Sequence, residues 1–214
     1  MKNNISTIDF FKALYPNNYE NLLLEIRAIK NKVKNCVFIK QNEIEEKIDS
    51  KIKEFNGKYN VYFGVALRKD NTSGKKENCA LLTALFVDID YGNEGHKKES
   101  IFPDYNTALD YINSYPIQPS ILVHSGHGFQ LYWLLKQPVE LTSETIPYVE
   151  DILKRLSLSL GGDSTHNVDR IFRIPGTINI KSEPHTQCVI FDYKNRYYDL
   201  DEIRNHPMLS VDLD

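Results

Sequence analysis

The chain has 214 residues, of which 41% are apolar and 26% charged, as is typical of one large globular domain or two small lobes. It has no apolar run of the roughly 18 residues that a membrane span needs and no signal-peptide core at its N-terminus, and its three isolated cysteines argue against a thiolate zinc site and favour a reducing, cytoplasmic location. A formal net charge of −3 is weak evidence against a large nucleic-acid footprint, but it permits local basic clusters and bound metal ions that offset phosphate charge.

The first third of the chain alternates helices and strands. Thr7 is the predicted N-cap of the first helix, and a basic turn, KNKVK, joins two strands as a hairpin. A polar, lysine-bearing loop, KDNTSGKKEN, has no hydrophobic anchor, so it is either a solvated connector or a contact for a polyanion. Apolar periodicity predicts helices over 7–15 and 43–55 and strands over 22–29, 35–40 and 59–68.

The remainder is also mixed. We predict strands over 81–90, 120–124 and 129–135, helices over 105–114 and 143–160, and a final hairpin with a short helical turn. Gly161 and Gly162 close the long helix, because glycine tolerates the left-handed C-terminal conformation. This order favours an α+β architecture with a mainly antiparallel sheet.

The strand over 81–90 ends in two acids, Asp88 and Asp90. Alternate residues of a strand share a face, so the two carboxylates point the same way, about 7 Å apart along the strand. Such a pair can hold one or two hard divalent ions. The alternative is a strand that simply ends in solvent.

A second polar segment, HSGHGFQLYW, lies at 124–133. Gly126 and Gly128 permit close backbone approach to a ligand, and the nearby Ser125, His127 and backbone N–H groups could hold phosphate. On the return strand, Gln130 shares a face with Tyr132 and needs a polar partner if buried. The alternative is a β-hairpin whose glycines serve only the turn.

A third segment, GGDSTHNVDRIFRIPGTINIK, spans 161–181. It carries carboxylates beside arginines that can bind phosphate, and then donors that alternate along a strand. Together the three segments supply what two-metal phosphoryl transfer requires, namely acids for the ions and cations for the phosphates. The residues concerned are Asp163, Asp169, Arg170, Arg173, Thr177, Asn179 and Lys181.

These three segments resemble the motifs of the archaeo-eukaryotic primase superfamily, specifically the primase-polymerase domains of plasmid and phage replication proteins. FVDID at 86–90 is similar to the hhhDhD strand, SGHGFQLYW to the Ser-x-His hairpin, and RIFRIPGTINIK to the R-x-x-R-x-P-G-T-x-N-x-K of the mobile-element branch. The likeness covers about 5–181.

The resemblance implies roles for individual residues. Asp88, Asp90 and Asp163 would bind Mg²⁺ or Mn²⁺, with Asp169 as the alternative third ligand. Ser125, Gly126, His127, Gly128 and Gln130 would line the nucleotide pocket, whereas Arg170, Arg173, Asn179 and Lys181 would contact the incoming nucleotide. Further candidates are Arg68, at a strand end, and Tyr132, which with Tyr62 and Tyr91 could lie beneath the sugar. The family often has histidine where this chain has Gln130, and His127 could partly compensate.

The resemblance also implies a fold and a function. We expect one catalytic domain over 1–214, with a smaller N-terminal αβ part at about 1–75, an RRM-like part at about 76–214, and the active site in the cleft between them. The implied activity is a DNA primase or primase-polymerase that uses NTPs or dNTPs on single-stranded DNA. No Walker-A motif occurs, so a helicase would be a separate partner or another part of a longer chain.

Two other functions fit parts of the sequence. A non-catalytic replication-initiator module would bind origin DNA without metal, and Gln130 and the acidic balance favour it. A metal-dependent nuclease could use the same acids, but the donors over 170–181 suit a triphosphate better.

Overall fold

The computed structural model describes residues 5–92, 100–162 and 166–210. Its helices are α1 (Thr7–Leu14), α2 (Ile44–Phe55), α3 (Tyr105–Ser114), α4 (Thr145–Ser159) and α5 (Leu200–Arg204). Its strands are β1 (Leu23–Lys30), β2 (Val33–Lys40), β3 (Asn60–Gly64), β4 (Leu67–Arg68), β5 (Cys79–Asp90), β6 (Ile121–His124), β7 (Gly128–Glu140), β8 (Ile171–Arg173), β9 (Ile178–Asn179), β10 (Thr186–Gln187), β11 (Val189–Tyr193) and β12 (Tyr197–Tyr198).

Ten of the strands in the described residues form one sheet, in the order β11-β6-β7-β5-β4-β1-β3-β8, with β2 on β1 and β12 on β7. The pairing of β12 with β7 is parallel, and the other pairs are antiparallel. Strands β9 and β10 form a separate two-stranded ribbon. The predicted α+β class with a mainly antiparallel sheet is therefore confirmed.

An aromatic core lies between the two halves of the sheet. Phe172 of β8 packs edge-on against Phe86 of β5 and Tyr132 of β7, with ring centroids 5.3 and 5.6 Å apart. Phe10 of α1 contacts both Tyr132 and Phe63 of β3. The sheet therefore curls so that β3 and β8 lie over the face of β5 and β7.

In the part of the sheet formed by β2, β1, β3 and β8, helices cover only one of the two faces. Leu24, Ile26 and Ala28 of β1 are fully buried, with exposed fractions of 0–1%, whereas Arg27 and Ile29 on the opposite face are part-exposed. The buried face is the one covered by helices, since α2 packs on β2 and β3 through its apolar stripe. We call the other side of β2-β1-β3-β8 the open face.

Several local predictions are corrected. Ser6, not Thr7, caps α1, in a capping box with Asp9, and the Thr7 hydroxyl instead donates to the Pro175 carbonyl at 3.0 Å. The predicted strand over 59–68 is broken into β3 and β4, because β4 turns to pair with β5. The tail is not a hairpin, since β11 pairs with β6 and β12 with β7.

The lysine-bearing loop between β4 and β5 is anchored by polar contacts rather than apolar ones. The buried Asn78 side chain donates to the carbonyls of Asp70 (2.9 Å) and Ser73 (2.6 Å). Arg27 on the open face donates to the Gly74 carbonyl at 3.0 Å. The loop therefore has a defined position beside the open face.

No helix in the described ranges is long and apolar enough to cross a membrane.

The predicted division of the domain at about residue 75 stays a prediction. Strands β4 and β5, on either side of it, are paired, and β8 from the later part joins β3 from the earlier part.

Candidate active site

A cleft of about 340 Å³ opens where the open face meets the end of β5. Nine predicted site residues line it: Asp88, Asp90, Ser125, His127, Gln130, Arg170, Arg173, Asn179 and Lys181. Tyr62, named from the sequence as a candidate beneath the sugar, lines the cleft as well, and Ile29 and Ile171 of the open face complete the lining. Segments far apart in sequence therefore converge on one site, as the motif combination predicts.

The two acids stand at the end of β5, on the face that carries Phe86. Asp88 is opposite Gln130 and Asp90 is opposite Gly128 in the β5–β7 register. A Cβ at position 128 would come within 2.8 Å of Asp90 Oδ1 and 2.5 Å of the Ile89 carbonyl oxygen. Gly128 therefore makes room for the Asp90 carboxylate.

Arg170 brings positive charge to the acids. Its Nη2 lies 3.5 Å from Asp88 Oδ2, and both side chains are part-exposed. Arg170 Nε is buried and has no hydrogen-bond partner among the residues that the structure describes. An anionic ligand with several oxygens could satisfy such a donor.

Arg173 is held against the open face by β3. Its Nη1 donates to Asn60 Oδ1 at 2.8 Å and its Nη2 to the Tyr62 hydroxyl at 3.1 Å. Asn60 Oδ1 also accepts from the N–H of Ile180 at 2.9 Å. The guanidinium is therefore oriented before any ligand binds, which lowers the entropic cost of binding.

Gln130 finds its partner in the backbone of β8. With the amide oriented to satisfy both groups, its nitrogen donates to the Arg173 carbonyl at 3.1 Å and its oxygen accepts from the Arg173 N–H at 2.9 Å. The side chain is 4% exposed, so these bonds remove the cost of burying it. Gln130 therefore connects β7 to β8.

The glycine turn between β6 and β7 packs against the β9–β10 ribbon. Gly126 has a φ of +111°, and a Cβ there would come within 2.2 Å of Thr186 Oγ1. Asn179 donates to the Ser125 carbonyl at 3.0 Å, and His127 Nε2 lies 2.7 Å from Ser182 Oγ. Gly126 thus serves close packing, while Ser125 and His127 line the cleft.

A part-buried tyrosine and histidine, Tyr91 and His124, pack against this turn. The Tyr91 hydroxyl lies 2.6 Å from His124 Nε2 and 3.3 Å from the Gly126 carbonyl oxygen. Burial, with a smaller effect of His127, lowers the pKa of His124, and burial raises the pKa of Tyr91 to about 12. Both side chains are therefore neutral near pH 7.

A curated protein is similar to this chain in sequence. A replication protein of Clostridium perfringens is 34% identical over 134 residues, which are 60% of this chain and 31% of that protein. The chain thus spans about a third of the length of this curated relative. A scan against protein-family models found no match.

Solved structures give a stronger match in fold. The primase-polymerase domain of cyanophage S-2L aligns with a TM-score of 0.65 at 17% identity, covering 92% of this chain and 94% of that one. The catalytic domain of primase RepB′, in complex with initiator DNA, aligns with a TM-score of 0.57 at 12% identity, covering 95% and 91%. The chain has the archaeo-eukaryotic primase-polymerase fold. The resemblance inferred from the three motifs is confirmed at this level.

Some predicted site residues lie away from the cleft of this primase-polymerase fold. Arg68 is fully buried, and its Nε and Nη2 donate to Glu25 Oε2 at 3.0 and 2.7 Å. Tyr132 is also fully buried, in the aromatic core. Neither side chain lines the cleft, so the structure places both away from the other nucleotide-binding candidates. The Thr177 hydroxyl is buried and donates to the Ile174 carbonyl.

The third carboxylate stays a prediction. Asp163 lies outside the described residues, and Asp169 does not line the cleft but acts electrostatically on Arg27. In the ranges that the structure describes, no three His, Cys, Asp or Glu side chains converge as metal ligands. Gly162 packs tightly on β5, since a Cβ there would come within 2.9 Å of the Asp88 carbonyl oxygen.

Sequence reasoning missed Asn60 and Ile29 as parts of the site. Neither belongs to a motif. Ile29 lines the cleft, whereas Asn60 acts on it by accepting from Arg173, and both are placed by the pairing of β1 with β3 and of β3 with β8. The polar Asn60 at the start of an apolar strand was the signal that could have indicated a role.

Proposed function

We propose that this chain is a template-dependent nucleotidyltransferase, a DNA primase or primase-polymerase. The observation that carries the proposal is the cleft itself, which joins two strand-end carboxylates to three cationic side chains, Arg170, Arg173 and Lys181. A nucleoside triphosphate carries the complementary charge, and acids beside cations are the arrangement that two-metal phosphoryl transfer uses.

The similar proteins support the same function. The two structural neighbours are described as a primase-polymerase and a primase, and the sequence relative as a replication protein. The RepB′ structure contains initiator DNA. We infer that single-stranded DNA is the template here, and that a helicase is a separate partner or lies in another part of a longer protein.

Asp88 and Asp90 fit a divalent metal. They offer hard oxygen donors on one face of a rigid strand, the ligand type that Mg²⁺ and Mn²⁺ prefer. Asp163 follows Gly162, which packs against Asp88, and we propose it as the third ligand. When bound, the ions would offset phosphate charge and lower the pKa of the attacking 3′ hydroxyl.

The cations of the cleft would hold the triphosphate. Arg170 has a buried Nε that no acceptor in the described ranges satisfies, and Arg173 is fixed by Asn60 and Tyr62. Guanidinium groups bind phosphate oxygens through paired hydrogen bonds. With Lys181 and Asn179 at the cleft wall, these side chains would orient the α-phosphate towards the acids.

The direct test is synthesis on a single-stranded template of one repeated base. The protein is incubated with each labelled NTP and dNTP in turn, with Mg²⁺ or Mn²⁺, and the products are resolved by length. We expect products that contain only the nucleotide complementary to the template. An absence of product under every condition, with metal-independent binding to specific duplex DNA, would overturn the proposal and favour an initiator module.

A further inference from the structure

Two basic segments of the sequence take no part in the proposed reaction, yet the fold brings them to the same place. The turn KNKVK lies between β1 and β2, and the loop KDNTSGKKEN precedes β5. Both border a second cleft of about 570 Å³ on the open face. Its lining includes Arg27, Lys34, Phe38 and the loop residues Asn71, Thr72 and Gly74.

This second cleft adjoins the candidate active site. Ile29 lines the active-site cleft and Lys34 lines the second one, and they are directly opposite in the β1–β2 register. Side chains in this relation have Cβ atoms about 5 Å apart. The two clefts therefore share a border.

A continuous row of side chains crosses the open face between them. Arg173 of β8 is opposite Tyr62 of β3, Tyr62 is opposite Arg27 of β1, and Arg27 is opposite Cys36 of β2. With about 4.8 Å between neighbouring strands, the row runs about 14 Å from the active-site cleft to the edge at β2. Helices cover the other face, so this one is open to an extended ligand.

The electrostatics of the face favour an anion. Lys30, Lys32 and Lys34 are exposed on the β1–β2 hairpin. Lys34 lies on the open face, Lys32 lies in the turn, and Lys30 ends β1 on the opposite face, at the hairpin tip. The acids near Arg27 are largely committed to other partners: Glu25 is fully buried and bonded to Arg27 and Arg68, and Asp70 accepts from Thr72. Asp169 acts on Arg27 as well. The positive charge therefore lies mainly on the hairpin lysines.

We infer that the open face of β2-β1-β3 is the path of the single-stranded template where it extends beyond the active-site cleft. Lys34 and the lysines at the hairpin tip contact the phosphates, and the part-exposed rings of Tyr62 and Phe38 face the bases. Binding without sequence preference combines these two features, a positive track and aromatic rings on which bases stack. The inference rests on the proposed function, since it extends that site by naming where its template runs.

The test compares two triple variants of equal charge change. In one, Lys30, Lys32 and Lys34 are replaced by alanine, and in the other Lys47, Lys51 and Lys53 of α2, on the helix-covered side. Binding of a labelled single-stranded oligonucleotide is measured by fluorescence anisotropy at several salt concentrations. We expect the hairpin variant to lose affinity about tenfold or more, with a salt slope shallower by about 2, and the helix variant to match the wild type.

A second readout needs no substitution. Lysines of the wild-type protein are acetylated with and without the oligonucleotide and then quantified by mass spectrometry. We expect protection of Lys34 and none of Lys53. Equal affinity of the two triple variants, equal protection of the two lysines, or no binding of single strands by the wild type would each overturn the inference. Equally tight binding of duplex DNA through the same lysines would also overturn it.

Nucleotide binding separates this inference from the proposed function. Binding of a fluorescent dNTP with Mn²⁺ is measured for the wild type and for both variants. We expect all three to bind it alike, because the lysines lie outside the active-site cleft. Loss of strand binding with intact nucleotide binding supports the template path, whereas a wild type that binds strands but no nucleotide contradicts the proposed function alone.

Discussion

The side chain of Gln130 pairs with the backbone of Arg173 as a neighbouring strand would. Its amide bonds both the carbonyl and the N–H of Arg173, at 3.1 and 2.9 Å. With the Phe172–Tyr132 contact and the pairing of β8 with β3, this side chain helps to fix the position of β8 and so of the guanidinium that Asn60 and Tyr62 orient. Gln130 stands where the primase superfamily often has histidine, and here it serves as a positioning residue.

Gln130→Ala is therefore expected to affect both stability and nucleotide use. It leaves two backbone groups without their partner, which costs about 1–3 kcal/mol for each buried group. The freed β8 shifts Arg173, so the KM for nucleotide rises while the fold is retained. Urea unfolding and steady-state kinetics measure the two effects. The exposed Gln187, replaced by alanine, is the control, and a Gln130 variant with wild-type stability and KM would contradict this role.

Gly128→Ala should weaken metal binding without contacting the metal. The new Cβ would come within 2.8 Å of Asp90 Oδ1 and 2.5 Å of the Ile89 carbonyl oxygen, so the end of β5 that carries the carboxylate must shift. We expect the affinity for Mn²⁺ to fall about tenfold, which corresponds to about 1.4 kcal/mol, as followed by electron paramagnetic resonance.

Gly57→Ala is the matched control for that experiment. Gly57 has a positive φ, +75°, which Gly128 does not, and a Cβ at position 57 meets nothing within 4 Å. The backbone strain costs about 1–2 kcal/mol of stability, with no effect on Mn²⁺ affinity. If the Gly128 variant bound Mn²⁺ as tightly as the Gly57 variant, Asp90 would not be a ligand.

The buried Glu25–Arg68 pair predicts acid sensitivity. Burial alone would raise the pKa of Glu25, but the hydrogen bond from Arg27 and the charge of Arg68 lower it below the usual 4.5. Since the folded pKa lies below the unfolded one, the pair contributes its full stability above about pH 4.5 and loses it as the pH falls through the folded value.

Two substitutions test this pair by chemical unfolding. Glu25→Ala leaves Arg68 buried without its partner, so we expect a loss of about 3–5 kcal/mol at neutral pH. Glu25→Gln should be less stable than the wild type at neutral pH and should lose less stability on acidification. The exposed Glu77, replaced by glutamine, is the control. A Glu25→Gln variant with an unchanged pH dependence would contradict the assignment.

The site was predictable where local pattern determines it. The alternation along β5 places Asp88 and Asp90 on one face, and the glycines and arginines of the two later segments mark the cleft wall. The rest depends on pairing between distant strands. From the sequence, Arg68 looks like an exposed strand end, but in the fold its side chain forms a buried ion pair with Glu25 of β1. The partner of Gln130 can be identified only once the packing of β8 over β7 is known. Neither contact produces a periodic pattern in the sequence from which it could be predicted.

Asp88 and Asp90 are proposed to hold the ions for nucleotidyl transfer, and incorporation by matched variants tests this role. Wild type, Asp88→Asn, Asp90→Asn and the exposed control Asp110→Asn are each given a single-stranded template, a complementary labelled nucleotide and Mn²⁺. Asp88→Asn and Asp90→Asn each remove several kcal/mol of charge stabilisation, so both should slow incorporation by about 100-fold or more, with unfolding midpoints near that of the wild type. The control should keep full activity. Full incorporation by both cleft variants would contradict the assignment of Asp88 and Asp90 as metal ligands.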